Sequence, residues 1–177
     1  MRNPLALFCS FLVSLPLLLT GSTSAQEPKT SHAYALMLAS MYKNTVPTLS
    51  PAALSEKLKA KPEEVVLLDS RSPKEYKVSH LKGARFINYD ALKDRDLQAL
   101  PKDKTLVVYC SVGYRSERVG ERLKAMGFKN VYNLYGGIFE WVNQGQPIVN
   151  AQGPTQKVHA YSKAWGIWLN KGEKVYE

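Results

Sequence analysis

Cysteine, histidine and long apolar runs are all scarce in this sequence, and each shortage removes a class of protein. Two cysteines, Cys9 and Cys110, among 177 residues cannot staple a disulfide-rich fold or supply a four-cysteine zinc site. The three histidines, His32, His80 and His159, fall at no metal-ligand spacing, so neither a metal nor another cofactor is expected. The apolar run Leu5–Leu19 is fifteen residues with Pro16 inside it, short of the roughly 20 needed to cross a bilayer. No stable membrane span is expected. There is no internal repeat, and 45% hydrophobic with 22% charged residues exclude collagen-like and wholly disordered chains. The formal charge of +9 comes from dispersed lysines without a recognised nucleic-acid motif, so no nucleic-acid partner is expected.

What is present begins with an address. Met1-Arg2-Asn3, the run Leu5–Leu19 and the small residues Gly21 to Ala25 have the order of a secretory signal peptide spanning residues 1–25. The expectation is an exported protein, periplasmic or extracellular. Cleavage after Ala25 would leave Cys110 as the single cysteine. A lone thiol has no internal disulfide partner and is a candidate reactive residue; its bland alternative is a buried core filler.

The remaining 150 or so residues suit one domain with a real core. Residues 26–49 form an amino-terminal extension, with helical spacing of apolar residues from His32 to Lys43 and an extended link Val46–Leu49. Ser50-Pro51 caps and opens a helix running to about Ala60. Val65–Asp69, Ala84–Ile87, Thr105–Tyr109 and Val131–Leu134 are short apolar runs suited to buried strands. Between them lie a helical turn Pro73–His80, a helix Asp90–Leu100 and an amphipathic helix Ser116–Met126 ended by Gly127. A turn at Gly136-Gly137 leads into a last helical stretch, Ile138–Asn143. Alternating strands and helices predict an α/β fold with a mainly parallel central sheet. Residues 150–177 are an aromatic carboxyl-terminal extension, expected to pack on the domain or to serve as a lid or docking surface.

Cys110-Ser111-Val112-Gly113-Tyr114-Arg115-Ser116 joins a buried strand to the amphipathic helix, and ligands bind at such junctions in α/β sheets. A loop curling into the helix start turns its N–H groups inward as an anion nest, to which the helix dipole and Arg115 add positive charge. Such a setting lowers a cysteine pKa from about 8.5 into a range of roughly 3.5 to 7.5. Gly113 tolerates the tight turn. No histidine is near in sequence to act as a base, so ionisation by the local field is expected. Asp69 and Arg71 are candidates to line the site, but Arg71 with Glu75 reads more simply as a structural ion pair or loop brace, and His80 as a residue satisfying local backbone groups.

These segments together resemble the rhodanese homology family. Leu67 to Tyr76 and His80 to Ala84 look like its amino-terminal signature, Cys110 to Ser116 like its active-site loop, and Gly127 to Val131, Leu134 to Gly137 and Trp141 like its closing segment. The resemblance covers residues 50–149 and implies a three-layer rhodanese-like fold, helices flanking the sheet. It implies a sulfurtransferase in which the Cys110 thiolate takes a sulfane sulfur from a small anionic donor such as thiosulfate. The persulfide then passes to a thiol, cyanide or thioredoxin-like acceptor. By this resemblance Cys110 and Arg115 are catalytic, and Ser111, Val112, Gly113, Tyr114 and Ser116 form the substrate-binding loop. Thiosulfate-using members often carry extra basic residues in the loop, whereas Ser111 to Tyr114 are uncharged. Cysteine-dependent phosphatases have a loop one residue longer, and the shorter ring here suits a sulfur atom better than a phosphate. The alternative is a non-catalytic rhodanese-like module that binds a partner or carries sulfur in the cell envelope.

Overall fold

The computed structural model describes residues 30–177; the expected signal peptide and Cys9 lie outside the described residues. The elements run α1 (His32–Met41), β1 (Thr48–Leu49), α2 (Pro51–Ala60), β2 (Val65–Asp69), α3 (Pro73–Val78), β3 (Arg85–Phe86), α4 (Asp94–Gln98) and β4 (Thr105–Tyr109). Then follow α5 (Tyr114–Ala125), β5 (Val131–Leu134), α6 (Gly137–Asn143), β6 (Ile148–Asn150), β7 (Gly153–Thr155), β8 (Lys157–His159), α7 (Lys163–Gly166) and β9 (Glu173–Val175). A five-stranded sheet of order β1-β5-β4-β2-β3 is parallel throughout. Among the described residues no helix is long and apolar enough to cross a membrane.

The strands are apolar at successive positions because both sheet faces are covered. Leu67, Val107, Tyr109 and Leu134 enter one core with residues of α1, α2 and α6. Their neighbours Val66, Leu68, Leu106 and Val108 enter the opposite core with Val119 and Leu123 of α5. Side chains of a strand alternate between faces, so one run of five residues feeds both cores. That is the expected α/β sheet with helices on each side.

Several boundaries differ by a residue or two from the expected ones, and four further differences have a physical reason. The link Val46–Leu49 contains an edge strand, since Pro47 and Leu49 carbonyls accept from Asn133 and Tyr135 N–H groups. Pro47 has no N–H to donate, which an edge position tolerates. The strand expected over Ala84–Ile87 shrinks to Arg85–Phe86. The helix expected over Asp90–Leu100 is a 3₁₀ turn, Tyr89–Ala91, then the short α4. Leu92 and Lys93 are extended between them, and only Leu97 of α4 is buried. Leu92, Leu97 and Leu100 all reach the core on the α5 side, but their spacing of five and then three residues does not set Leu92 and Leu97 on one stripe of a continuous helix. Finally, α5 begins at Tyr114 rather than Ser116, because Gly113 at φ 103° turns the chain into the helix directly after Cys110.

Candidate active site

Cys110 directly follows β4, a central strand, and is 1% exposed at the base of a cavity of about 460 Å³. The backbone around it is fixed from below. The first N–H groups of α6, from Ile138 and Phe139, donate to the carbonyls of Cys110 and Ser111 at 2.9 and 3.1 Å. A side chain at Gly137, itself at φ 58°, would collide with those two carbonyls. Holding the carbonyls downward frees the loop amides for the sulfur side, and the Gly113 N–H reaches Cys110 Sγ at 3.1 Å.

Two further supports come from outside the loop. Tyr42, just after α1, donates from its hydroxyl to the Val112 carbonyl at 2.7 Å and accepts from the Gly136 N–H at 3.0 Å. Its ring fills the space a Cβ would need at Gly113. Asn133, fully buried on β5, donates through Nδ2 to the Gly113 carbonyl at 3.0 Å and accepts through Oδ1 from Ser116 at 2.7 Å. Neither residue was anticipated from sequence as part of the site.

Arg115 does not stand free. Its Nη1 and Nη2 grip Glu75 Oε2 and Oε1 at 2.9 and 2.7 Å, and Nη2 also reaches the Ser111 hydroxyl at 3.1 Å. Glu75 is buried, and Ser111 donates to it at 2.7 Å. Burial alone raises the Glu75 pKa, but the Arg115 fork, the Ser111 hydroxyl and the Ser72 N–H outweigh it and hold the carboxyl at about 2. The expected Arg71–Glu75 pair is therefore corrected. Arg71 instead grips Asp69 through Nε at 2.9 Å and Nη2 at 2.6 Å, both side chains fully buried. Two residues along the chain is close enough for that grip, and Glu75 points at the loop. The signal for Glu75 was legible: Ser72-Pro73-Lys74-Glu75 is a capping box, which turns the third residue's carboxylate back toward the helix start. His80, as expected, satisfies a backbone group, its Nδ1 lying 3.0 Å from the Tyr76 carbonyl.

Burial pushes the Cys110 thiol up, yet the Arg115 charge and the N–H groups of Ser116 and Gly113 outweigh it and bring it below its ordinary value. The Ser116 hydroxyl lies 3.6 Å from the sulfur, but it has one proton. Asn133 Nδ2 is already a donor to Gly113, so Asn133 Oδ1 must receive that proton. Thiolate stabilisation therefore rests on Arg115 and the backbone amides more than on the hydroxyl.

The other wall of the cavity was not legible. Met41 from α1 and His159, Tyr161 and Trp165 from the carboxyl-terminal extension line it together with Cys110, Arg115 and loop residues. Sequence reading found no histidine beside the cysteine, since 49 positions separate Cys110 from His159. Burial lowers the His159 pKa, favouring the neutral ring, and its Nδ1 accepts from the Tyr161 N–H at 3.1 Å. The proton of that neutral ring is thereby placed on Nε2. The extension does pack on the domain, with Val158, Ala160 and Leu169 fully buried and Trp168 stacked on Tyr34 at 5.5 Å. Its turn also reaches the cavity.

Comparison with known proteins gives a consistent family. The family model described as a rhodanese-like domain matches residues 50–144, more than half of the chain. A sulfurtransferase of Allochromatium vinosum is 36% identical over 101 residues, 57% of this chain and 92% of that protein. The probable adenylyltransferase/sulfurtransferase MoeZ of Mycobacterium tuberculosis is 35% identical over 101 residues, 56% of this chain. The chain spans only 26% of that longer relative. Among solved structures, the rhodanese-like domain of an Anabaena protein is 26% identical, with a TM-score of 0.54 over 59% of this chain and 79% of that one.

Proposed function

The chain belongs to the rhodanese-like family, and on that premise we propose that it is a sulfurtransferase working through a Cys110 persulfide. The observation that carries this reading is the setting of the thiol. Cys110 sits at the floor of an open cavity with the Gly113 N–H on its sulfur and the Arg115 charge beside it. The thiolate attacks the outer sulfur of a sulfane donor. A new S–S bond forms, the donor's S–S bond breaks, and the donor leaves with the electron pair. The outer sulfur of the resulting Cys110–S–S⁻ is passed to a second nucleophile, which regenerates the thiolate. Covalent shuttling of this kind gives ping-pong kinetics. Arg115 stabilises the anionic sulfur, while Glu75 holds Arg115 in register. The amides from Ser111 to Ser116 form the cradle.

In the same proposal residues 1–25 are an export signal and the enzyme works in the periplasm or outside the cell. The charged start, the fifteen-residue apolar run and the small residues before Gln26 support this.

The test is direct. Incubation with thiosulfate or a thiosulfonate adds one sulfur atom to the intact mass, and cyanide removes it. Cys110→Ser gains nothing. A Cys110 that alkylates readily yet takes sulfur from no donor would overturn the reading in favour of a binding module.

A further inference from the structure

We infer that the carboxyl-terminal extension makes this site selective for organic sulfane-sulfur compounds, R–SO₂–S⁻ or R–S–S⁻ with an aromatic or apolar R group, over inorganic thiosulfate. The inference rests on the sulfur-transfer reading above and concerns which donor the same site prefers.

Three features lead to it. The first is space: a cavity of about 460 Å³ falls within the range of roughly 300–1,000 Å³ that holds small organic ligands. An inorganic donor would leave most of it to water. The second is the lining. Met41, Tyr89, Val112, Tyr114, Tyr161 and Trp165 give it aromatic and apolar walls. The obvious anion clamp is already engaged, because both terminal nitrogens of Arg115 are held by Glu75 and Ser111. Its charge still acts on the sulfur, but its fork is not open for bidentate capture of a free oxyanion. The uncharged residues Ser111 to Tyr114 offer no second fork; Lys74 also lines the cavity, but as a single point charge rather than a bidentate clamp.

The third is strain. Tyr161 has φ 64°, a left-handed conformation unusual outside glycine. It is held by the Tyr161 N–H bond to His159 and by the Arg115 guanidinium lying 5.5 Å over its ring. Left-handed backbone at a bulky residue persists only where its surroundings over-determine it, and such residues gather at ligand sites. Here the strain places an aromatic ring at the cavity mouth, 55% exposed and open to a ligand's R group. His159, Tyr161 and Trp165 all lie beyond the rhodanese-like match at residues 50–144. Tyr89, Val112 and Tyr114 belong to the shared body, so what the extension adds is the side of the wall made by Tyr161 and Trp165.

With a thiosulfonate the step balances without a co-reactant. The Cys110 thiolate bonds to the terminal sulfur, the bond from that sulfur to the sulfonyl group breaks, and R–SO₂⁻ departs with the pair.

Benzenethiosulfonate and methanethiosulfonate share this reacting group and differ in R. The measurement is the ratio of their second-order rate constants for Cys110 persulfidation in the full chain, divided by the same ratio for a free small thiol. We expect a normalised ratio of about tenfold or more, from burying the phenyl ring. Thiosulfate should be slower than either. Trp165→Ala and, separately, Tyr161→Gly should each bring the ratio several-fold toward unity. Tyr161→Gly keeps a backbone that tolerates the left-handed turn, so it remains informative if the tryptophan variant folds poorly. A ratio near unity in the unaltered protein, or one that neither variant changes, overturns the inference. Failure of Cys110 to take sulfur from all three donors is a different result, and it overturns the sulfur-transfer reading itself.

Discussion

Two segments face each other across the cavity, the loop Cys110–Ser116 and the turn His159–Trp165, and they are held in different ways. The loop's carbonyls and its arginine have committed partners, the carbonyls on the α6 N–H groups, Tyr42 and Asn133 and the arginine on Glu75, which leaves the amides for the sulfur. Cys110, Ser111, Val112 and Ser116 are buried. The turn is anchored by Val158 before it, Ala160 within it and Leu169 beyond it, yet Tyr161 is largely exposed on strained backbone. Buried, fully paired polar networks are rigid and costly to disturb, whereas segments with few buried contacts re-pack easily. The loop is thus suited to setting reactivity and the turn to selecting what reaches it.

The sharpest way to break this comparison is at Arg115. Arg115→Ala is expected to slow persulfidation by roughly 10²–10³-fold, the usual loss for one preorganised stabilising group. It should also shift the pH midpoint of Cys110 alkylation upward, because burial then acts on the thiol without the opposing charge. An unchanged alkylation profile would mean that the amides alone activate the sulfur.

Next in size is the carboxylate behind it. Glu75 is held at about 2 in the folded protein against 4.5 ordinarily. Its contribution is therefore fully present above pH 4.5 and is lost as pH falls toward 2. The depression corresponds to on the order of 3 kcal/mol. Urea midpoints should fall steeply between pH 5 and pH 2 in the unaltered chain, and Glu75→Gln should be less stable at neutral pH with that part of the slope removed. A variant that retains the full acid slope would assign it to other carboxylates.

The smallest effect lies in the turn. Tyr161→Gly relieves the left-handed strain while giving up one cation–π contact of about 0.5–1 kcal/mol. Thermal unfolding should therefore move by no more than a few degrees, in contrast to the large shift at Glu75. A destabilisation as large as that of Glu75→Gln would show that the turn is as rigidly built as the loop, and would erase the distinction.

Much of the body was readable because its signals are local. Runs of four apolar residues mark strands covered on both faces, Ser50-Pro51 marks a helix start, and the segment that begins at the cysteine joins strand to helix. Where local patterns compete, expectation and structure part: Leu92, Leu97 and Leu100 after Asp90 suggest one helix, yet they reach the core from an extended break and a short helix. Arg71 and Glu75, four residues apart, looked like a pair, but each has a better-oriented partner, Asp69 and Arg115.

Order along the chain dictates the strand and helix succession, the Cys110 thiol at a strand end and the positive charge close behind it. These follow from periodicity, capping and backbone preference, which act over a few residues. The tertiary structure decides what surrounds that thiol. Glu75 meets Arg115 across 40 positions, Tyr42 meets Val112 across 70, and His159 reaches the Cys110 cavity from the far end of the chain. Such contacts depend on which sheet edge and which helix face come together. Chain folding brings them into place by burying both cores, and no local pattern of residues encodes that meeting.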